Sequence, residues 1–215
     1  EWGGNLAAMR LATRGVDVSI ETIPSDDSGC VDPVALQAML DARVRLVALT
    51  WLPANGGLIN PAAAVGRVTR AAGVPYYLDA AQAVGQLPVD VAEVGCDVLS
   101  GAGRKALRGP RGTGLLYVRR DFLAQLTPAF VDTYSAPLDA DGEPRLRADA
   151  GRFESAEASL ALRCGQANAL QEALDIGLDT IRAQVDATAQ ALRAELAAIP
   201  LSLIHISEPT RPERI

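Results

Sequence analysis

Histidine occurs once in this sequence, and so does lysine. The histidine, His205, lies within the last fifteen residues. Up to Pro200 the chain therefore offers no Ser-His-Asp triad, no Cys-His dyad and no histidine-based zinc or iron site. Acid–base work there falls to lysine, carboxylates, tyrosine or a cofactor. Cysteine is also scarce. Cys30, Cys96 and Cys164 stand far apart, with neither metal-ligand spacing nor a disulfide framework. They read as small buried thiols in a reducing compartment, so a cytoplasmic location is expected and a metal site is not. No run of about eighteen apolar residues occurs, so no membrane-spanning helix is expected. No signal peptide is visible. The formal net charge of −6 argues against a general polyanion binder, and nucleic acid is not an expected partner.

What is present is unevenly distributed. Nearly half of the chain is hydrophobic, enough to bury a substantial core. The last stretch, LSLIHISEPTRPERI, follows Pro200 abruptly and differs from the alanine-rich helix before it. Leu201 to Arg211 resembles, without a mismatch, a translated sequencing-library adapter of the transposase type. Native sequence is expected to end near Pro200, with both ends truncated, and the tail is set aside in reading the fold.

Between these limits the pattern alternates. VDVSIETI reads as a strand ending at Pro24. DPVALQAMLDA reads as a helix with Asp32 at the N-cap and Pro33 at its first position. VRLVALTW is a nearly continuous apolar run, as buried parallel strands are. NPAAAVGRVTRAAG repeats the cap-then-proline start at Asn60 and Pro61 and stops at Gly73. VPYYLD, CDVLSG and GTGLLYVRR read as further strands. This order predicts an α/β fold, a mostly parallel sheet flanked by helices. A long loop is expected over residues 132–151, then helical sequence to residue 199 interrupted at Gly177. The expected organisation is a partial cofactor-binding large domain over 1–150, a helical segment over 151–200 leading toward a missing small domain, and a non-native tail over 201–215.

The lone lysine, Lys105, sits among nineteen arginines in SGAGRKALRGPRGTG. Arginine serves wherever only a positive charge is needed. Lysine can lose its proton, attack a carbonyl and form an imine. Asp79 ends the strand VPYYL, and Lys105 lies just past the next strand. Ligands of open α/β sheets sit beyond the C-terminal ends of the strands. Position alone reads Asp79 as a helix N-cap for AAQAVG. A shared pocket with Lys105 is the second reading. Such a pair suits pyridoxal phosphate: the lysine takes its aldehyde, and the carboxylate keeps its ring nitrogen protonated. Gln82, three residues on, can donate to the ring oxygen or be an ordinary polar loop residue. Arg104, Lys105, Arg108 and Arg111 also form a basic loop, but it has no P-loop pattern and no interleaved aromatics.

The stretch YYLDAAQAVGQLPVDVAEVGCDVLSGAGRKALRGPRGTGLLYVRRD resembles the core of the class V aminotransferase-fold enzymes. That family includes cysteine desulfurases, isopenicillin N epimerase-like proteins and hercynylcysteine sulfoxide lyases. The likeness runs from Glu1 to about Arg120 and more weakly through RFESAEASLALRCGQANAL. It implies the large domain of the fold-type I pyridoxal-phosphate enzymes, pyridoxal 5'-phosphate as cofactor, a small amino acid substrate and a homodimer. It further implies that Lys105 forms the Schiff base and moves the α-proton. By the same likeness Asp79 pairs with the pyridine nitrogen and Gln82 contacts the ring hydroxyl. Trp2 falls where relatives stack an aromatic or histidine on the ring, and a core aromatic is the other reading. Asn55 falls near an asparagine that touches the cofactor. Arg104 replaces a histidine of the desulfurases and matches the lyase and epimerase-like branch. Ala102 departs from the family, because many relatives carry a phosphate-binding hydroxyl there. Ser100 is the nearest hydroxyl. The expected activity is that of a C–S lyase or a related class V reaction. A catalytically impaired binding relative, an epimerase or a true aminotransferase is the alternative. The fragment itself is expected to be inactive, since the substrate-binding arginine and the loop bearing the desulfurase cysteine lie outside it.

Overall fold

The computed structural model describes residues 2–55 and 57–199. The expected features of residues 201–215, His205 among them, lie outside the described residues.

Four strands form one sheet in the order β1 (Val47–Thr50), β2 (Tyr76–Asp79), β3 (Val98–Ala102) and β4 (Gly114–Val118). The first three run parallel and β4 returns antiparallel. Helix α1 (Gly3–Ala12) and helix α2 (Pro33–Met39) precede the sheet. Helix α3 (Ala62–Ala72) crosses from β1 to β2, and the short α4 (Val91–Val94) crosses from β2 to β3. The one-turn α5 (Arg120–Leu123) follows β4. Two longer helices, α6 (Leu160–Ile176) and α7 (Leu178–Ala197), meet at Gly177. This is the expected α/β layer with a mostly parallel sheet.

The strand pleat explains which residues make the core. Alternate residues face opposite sides. Register places Val47 beside Tyr76, and Leu49 beside Leu78 and Leu99, on one face. All five are buried there with Val65 of α3 and Leu36 of α2. Each such side chain contributes about 1.5–3 kcal/mol when removed from water. The Tyr76 hydroxyl donates to the Ala62 carbonyl at 3.3 Å, so its polar end is satisfied at the sheet–helix seam. The opposite face carries Tyr77, Asp79, Ser100 and Leu116.

The helix signals around Asp32 hold: its side chain accepts from Val34 N, with Pro33 in the first turn. Gly73 closes α3 in the left-handed conformation, φ 66°. Asn60 is a correction. The helix starts at Ala62 with Pro61 as its N-cap, and the Asn60 side chain ties loops instead. Asn60 Nδ2 donates to the Thr50 carbonyl, and its Oδ1 accepts from Val31 N.

The strand expected over residues 16–23 does not form. Val16, Val18 and Ile20 are exposed, and among the described residues no strand lies beside them. A β-branched run becomes a strand only where a neighbouring ladder takes its backbone groups.

The cysteines are a further correction, because only Cys96 is buried; Cys30 is intermediate and Cys164 exposed. A position on a helix of mostly uncovered residues leaves Cys164 in water. Burial pushes the Cys96 thiol up to about 11. At pH 8 only about one Cys96 in a thousand is then thiolate, the reactive form. A thiol reagent at pH 8 is expected to label Cys164 promptly and Cys96 only in denaturant, as read by peptide mass mapping. Prompt labelling of Cys96 in the folded chain would contradict this packing.

The long loop over 132–151 is organised by Asp132. Its Oδ1 accepts from Tyr134 N and Ser135 N, and its Oδ2 from Ala156 N at 2.7 Å. Hydrogen bonds from the Ser135 and Ala156 backbones hold its carboxyl at about 2. A depressed carboxyl stabilises the fold above its unfolded value of 3.8, and that contribution is lost as pH falls through about 2. The Ala156 amide resonance is expected to titrate with a midpoint of about 2 and to stop titrating in Asp132→Asn. A midpoint near 3.8 would show that these bonds do not hold the charged form.

Candidate active site

In a parallel pair, both C-terminal strand ends lie on the same sheet edge. Asp79 is the last residue of β2 and pairs in register with Ser100 of β3. Ala102 ends β3, and a turn beginning at Gly103 presents Lys105. Asp79 and Lys105 thus rise from neighbouring strand ends, as the sequence pattern implied.

Their loops also touch. A Cβ on Gly85, in the turn after Asp79, would fall 2.6 Å from Leu107 N and 2.7 Å from the Ala106 carbonyl carbon. Leu107 itself is buried in the core. The backbone after Asp79 is therefore packed directly on the backbone after Lys105.

Asp79 is buried, 6% exposed, yet polar on both oxygens. Its Oδ1 accepts from Ala81 N at 2.8 Å. This is the capping role that position alone suggested, here as a turn rather than a helix cap. Its Oδ2 accepts from Asn5 Nδ2 of α1 at 2.7 Å. A carboxylate has about four acceptor positions, so these two bonds leave room for another donor. Lys105 is half-buried, and its Nζ has no hydrogen-bond or ion-pair partner among the described residues. Arg104 beside it is exposed.

The other expected site residues divide. Gln82 lies three residues past Asp79, half-buried, and its carbonyl accepts from the Gln86 side chain. The Ser100 hydroxyl shares a hydrogen bond of 2.8 Å with the Tyr77 hydroxyl, on the sheet face that bears Asp79. Ala102 brings no side-chain hydroxyl, and its backbone pairs with Gly114. Trp2 is 62% exposed, and its ring lies over Gly4, where a Cβ would sit 2.0 Å from it. A core position for Trp2 is thereby excluded, and its helix touches Asp79 through Asn5. Asn55 is exposed in the loop after β1. That loop leaves the same sheet edge, but among the described residues no hydrogen bond or ion pair joins Asn55 to Asp79 or Lys105.

Asn5 and Tyr77 were not singled out from the sequence. Tyr77 had a signal, since it stands two residues before Asp79 on a strand and must share its face. Asn5 had none, because it reaches Asp79 across seventy-four residues of chain.

Arg108 has φ 61°, the one non-glycine residue in the left-handed region among the described residues. Its N–H donates to the Lys105 carbonyl at 2.8 Å, and its guanidinium pairs with Glu172 of α6 at 3.1 Å. Among the described residues, no three His, Cys, Asp or Glu side chains are grouped to hold a metal ion, and no helix is long and apolar enough to cross a membrane.

Known proteins resemble this arrangement over most of its length. A cysteine desulfurase of Dickeya dadantii is 31% identical over 206 residues, covering 93% of this chain and 48% of that protein. A solved complex of the cystine C-S lyase C-DES with cysteine persulfide superposes with a TM-score of 0.82 at 27% identity, over 93% of this chain and 55% of the other. A lysine-to-alanine mutant of C-DES, with glycine covalently linked to its PLP cofactor, superposes with a TM-score of 0.81 at 27% identity, over 93% and 54%. The chain spans about half the length of these relatives. The family description Aminotransferase class-V matches residues 1–214, so the chain belongs to the class-V aminotransferase family.

Proposed function

We propose that the whole protein is a pyridoxal-phosphate-dependent enzyme that breaks a carbon–sulfur bond in an amino acid substrate. The observation that carries this reading is the direct packing of the Asp79 turn on the Lys105 loop. It brings to one sheet edge a buried carboxylate and a lysine without an ion-pair partner among the described residues. The named activities of the relatives, cysteine desulfurase and cystine C-S lyase, support the reaction class.

The residues fit the cofactor by their chemistry. Asp79 would pair with the ring nitrogen, Gln82 with the ring oxygen, and Lys105 with the aldehyde carbon. Trp2 and Asn55 would border the ring, and Ser100 and Arg104 would lie toward the phosphate. Bound pyridoxal phosphate supplies an aldehyde that captures amines and a ring that withdraws electrons. Lys105 Nζ is the amine that holds it between turnovers. With substrate bound, the same Nζ would take the proton from the substrate α-carbon and later return it. Asp79 keeps positive charge favourable at its buried end of the site. Asn5 and Ala81 N orient that carboxylate, so it need not reorganise during the reaction.

The chain's organisation is proposed as above: large domain over 1–150, helical segment over 151–200, tail over 201–215. The family resemblance motivates a homodimer, and the three free cysteines a cytoplasmic site of action. One observation favours a second reading, a catalytically impaired relative of the same fold acting as a binding protein. Ala102 brings no hydroxyl, and the Ser100 hydroxyl is already engaged by Tyr77. A missing charge-assisted phosphate bond costs about 1.5–3 kcal/mol of binding.

The experiment is to mix the protein with pyridoxal phosphate, reduce with borohydride and map the label. Label on Lys105 together with sulfur release from an amino acid thiol or disulfide supports the enzyme. Label without release, or no label at all, overturns the enzyme and supports the second reading.

A further inference from the structure

The loop that carries Lys105 runs from Gly103 to Thr113 and is closed on itself. Gly103 N donates to the Thr113 carbonyl at 2.9 Å, and Gly109 N donates to the Gly103 carbonyl at 2.8 Å. Neither bond reaches outside the loop. Leu107 and the packing on Gly85 hold one side of the loop; helix α6 holds the other, and its central contact is Gln166.

Gln166 is 8% exposed, on a helix whose other residues are mostly in water. Its amide fills the middle of the loop. A Cβ on Gly103 would fall 2.0 Å from Gln166 Oε1, and one on Gly109 would fall 2.5 Å from it. Only glycines at both positions admit the amide. One residue back, a Cβ on Gly165 would fall 2.7 Å from Pro110 Cγ, so helix and loop are in van der Waals contact there too.

The polar contacts define the direction of the bonds. Thr113 Oγ1 lies 2.7 Å from the Pro110 carbonyl oxygen and 2.6 Å from the Gln166 amide oxygen. A hydroxyl has one proton and cannot donate to both. Turning the amide over resolves the conflict: Gln166 donates its NH2 to Thr113, and Thr113 donates to Pro110. The far end of the amide, buried without a partner, is then a carbonyl oxygen instead of an NH2 with two unmet protons. An unpaired buried carbonyl is the better tolerated of the two.

We propose that Gln166 is a positioning residue, whose amide latches the loop 103–113 onto α6 and so sets where Lys105 stands. This rests on the assignment of Lys105 to cofactor capture, but its test does not. Thr113 is the other half of the latch, and α6 is the brace. The latch acts through the loop and touches no reacting atom.

The test compares the full chain with Gln166→Met, Thr113→Val and the double variant, with Gln171→Met on the exposed side of α6 as control. Met keeps the volume of Gln166 and removes its hydrogen bonds. Amide hydrogen exchange without cofactor is the first readout. Gly103 and Gly109 are expected to exchange about tenfold faster in Gln166→Met, the loss of one buried hydrogen bond. Leu78 and Leu99 amides should not change. Thr113→Val, which also loses the bond to the Pro110 carbonyl, should exchange at least as fast, and the double variant should go no further than Thr113→Val. The second readout is the rate of borohydride-trapped cofactor capture at Lys105, slowed in both single variants and unchanged in the control. Wild-type exchange in Gln166→Met would overturn the latch, since volume alone would then suffice. If Gln166→Met fails to fold, Thr113→Val decides, and unchanged Gly103 and Gly109 exchange there overturns the latch. No capture by the wild-type chain would sink the function proposed for Lys105 and leave the exchange result standing.

Discussion

Lys105→Arg is expected to abolish covalent capture of pyridoxal phosphate while leaving the fold intact. Arginine keeps the positive charge and nearly the length of lysine. Its guanidinium does not release a proton in proteins and cannot take a carbonyl. Lys105 is the only lysine, so no second ε-amine in the chain can substitute. Its Nζ has no hydrogen-bond or ion-pair partner among the described residues, so the replacement breaks no bond there. Stability should therefore change by no more than about 0.5 kcal/mol. Turnover of the whole protein should fall by about 10²–10⁴-fold from lost proton transfer alone. The checks are the visible absorbance band on adding cofactor, borohydride trapping with peptide mapping, and thermal unfolding. A trapped label of wild-type yield in Lys105→Arg would place the capturing amine elsewhere, the N-terminal amine being the alternative. Loss of label with a collapsed melting temperature would instead assign Lys105 a structural role.

How much of this was legible in the sequence depends on the distance over which each feature is decided. Asp79 was legible as a polar residue that stops an apolar run at a strand end, and Lys105 as the lone lysine just past the next strand. Parallel order then brings the ends together. The three parallel strands announced themselves through apolar runs, and β4 as a further strand after a glycine-rich loop, although its antiparallel direction was not foreseen. Residues 16–23 carry the same β-branched signal as a true strand. Only tertiary pairing separates the two, and a single segment does not encode it. Asn5 and Gln166 lay beyond sequence reasoning for the same reason. Their partners stand seventy-four and fifty-three residues away. Gln166 looked like one polar residue on a helix. What marks it is the pair of glycines opposite, whose missing side chains make the space it fills. Cys164 was misjudged because thiols are usually buried, and only helix placement shows that this one faces water.

The second large effect is expected from Gly85→Ala, although Gly85 is neither charged nor in contact with a substrate. Two costs combine there. Gly85 has φ 93°, a region that a Cβ disfavours, by about 1–2 kcal/mol for left-handed backbone. The new methyl would also fall 2.6 Å from Leu107 N and 3.0 Å from the Ala106 carbonyl oxygen. These are backbone atoms, so no side-chain rotation relieves the clash. Overpacking of this kind costs typically about 1–3 kcal/mol. A loss of roughly 2–5 kcal/mol follows, a large share of the stability of a domain. The chain can lower that cost only by moving the 103–109 loop away from the Asp79 turn, which carries Lys105 with it. Gly85→Ala should therefore lower the denaturation midpoint and, in the fraction still folded, slow capture at Lys105. Gly73→Ala is the control, because Gly73 shares the left-handed conformation, φ 66°, and has open space around it. It should show the conformational cost alone and capture cofactor at the wild-type rate. If both variants lose stability equally and capture equally well, the close packing of the two loops is wrong, and with it the reason for placing Asp79 and Lys105 in one site.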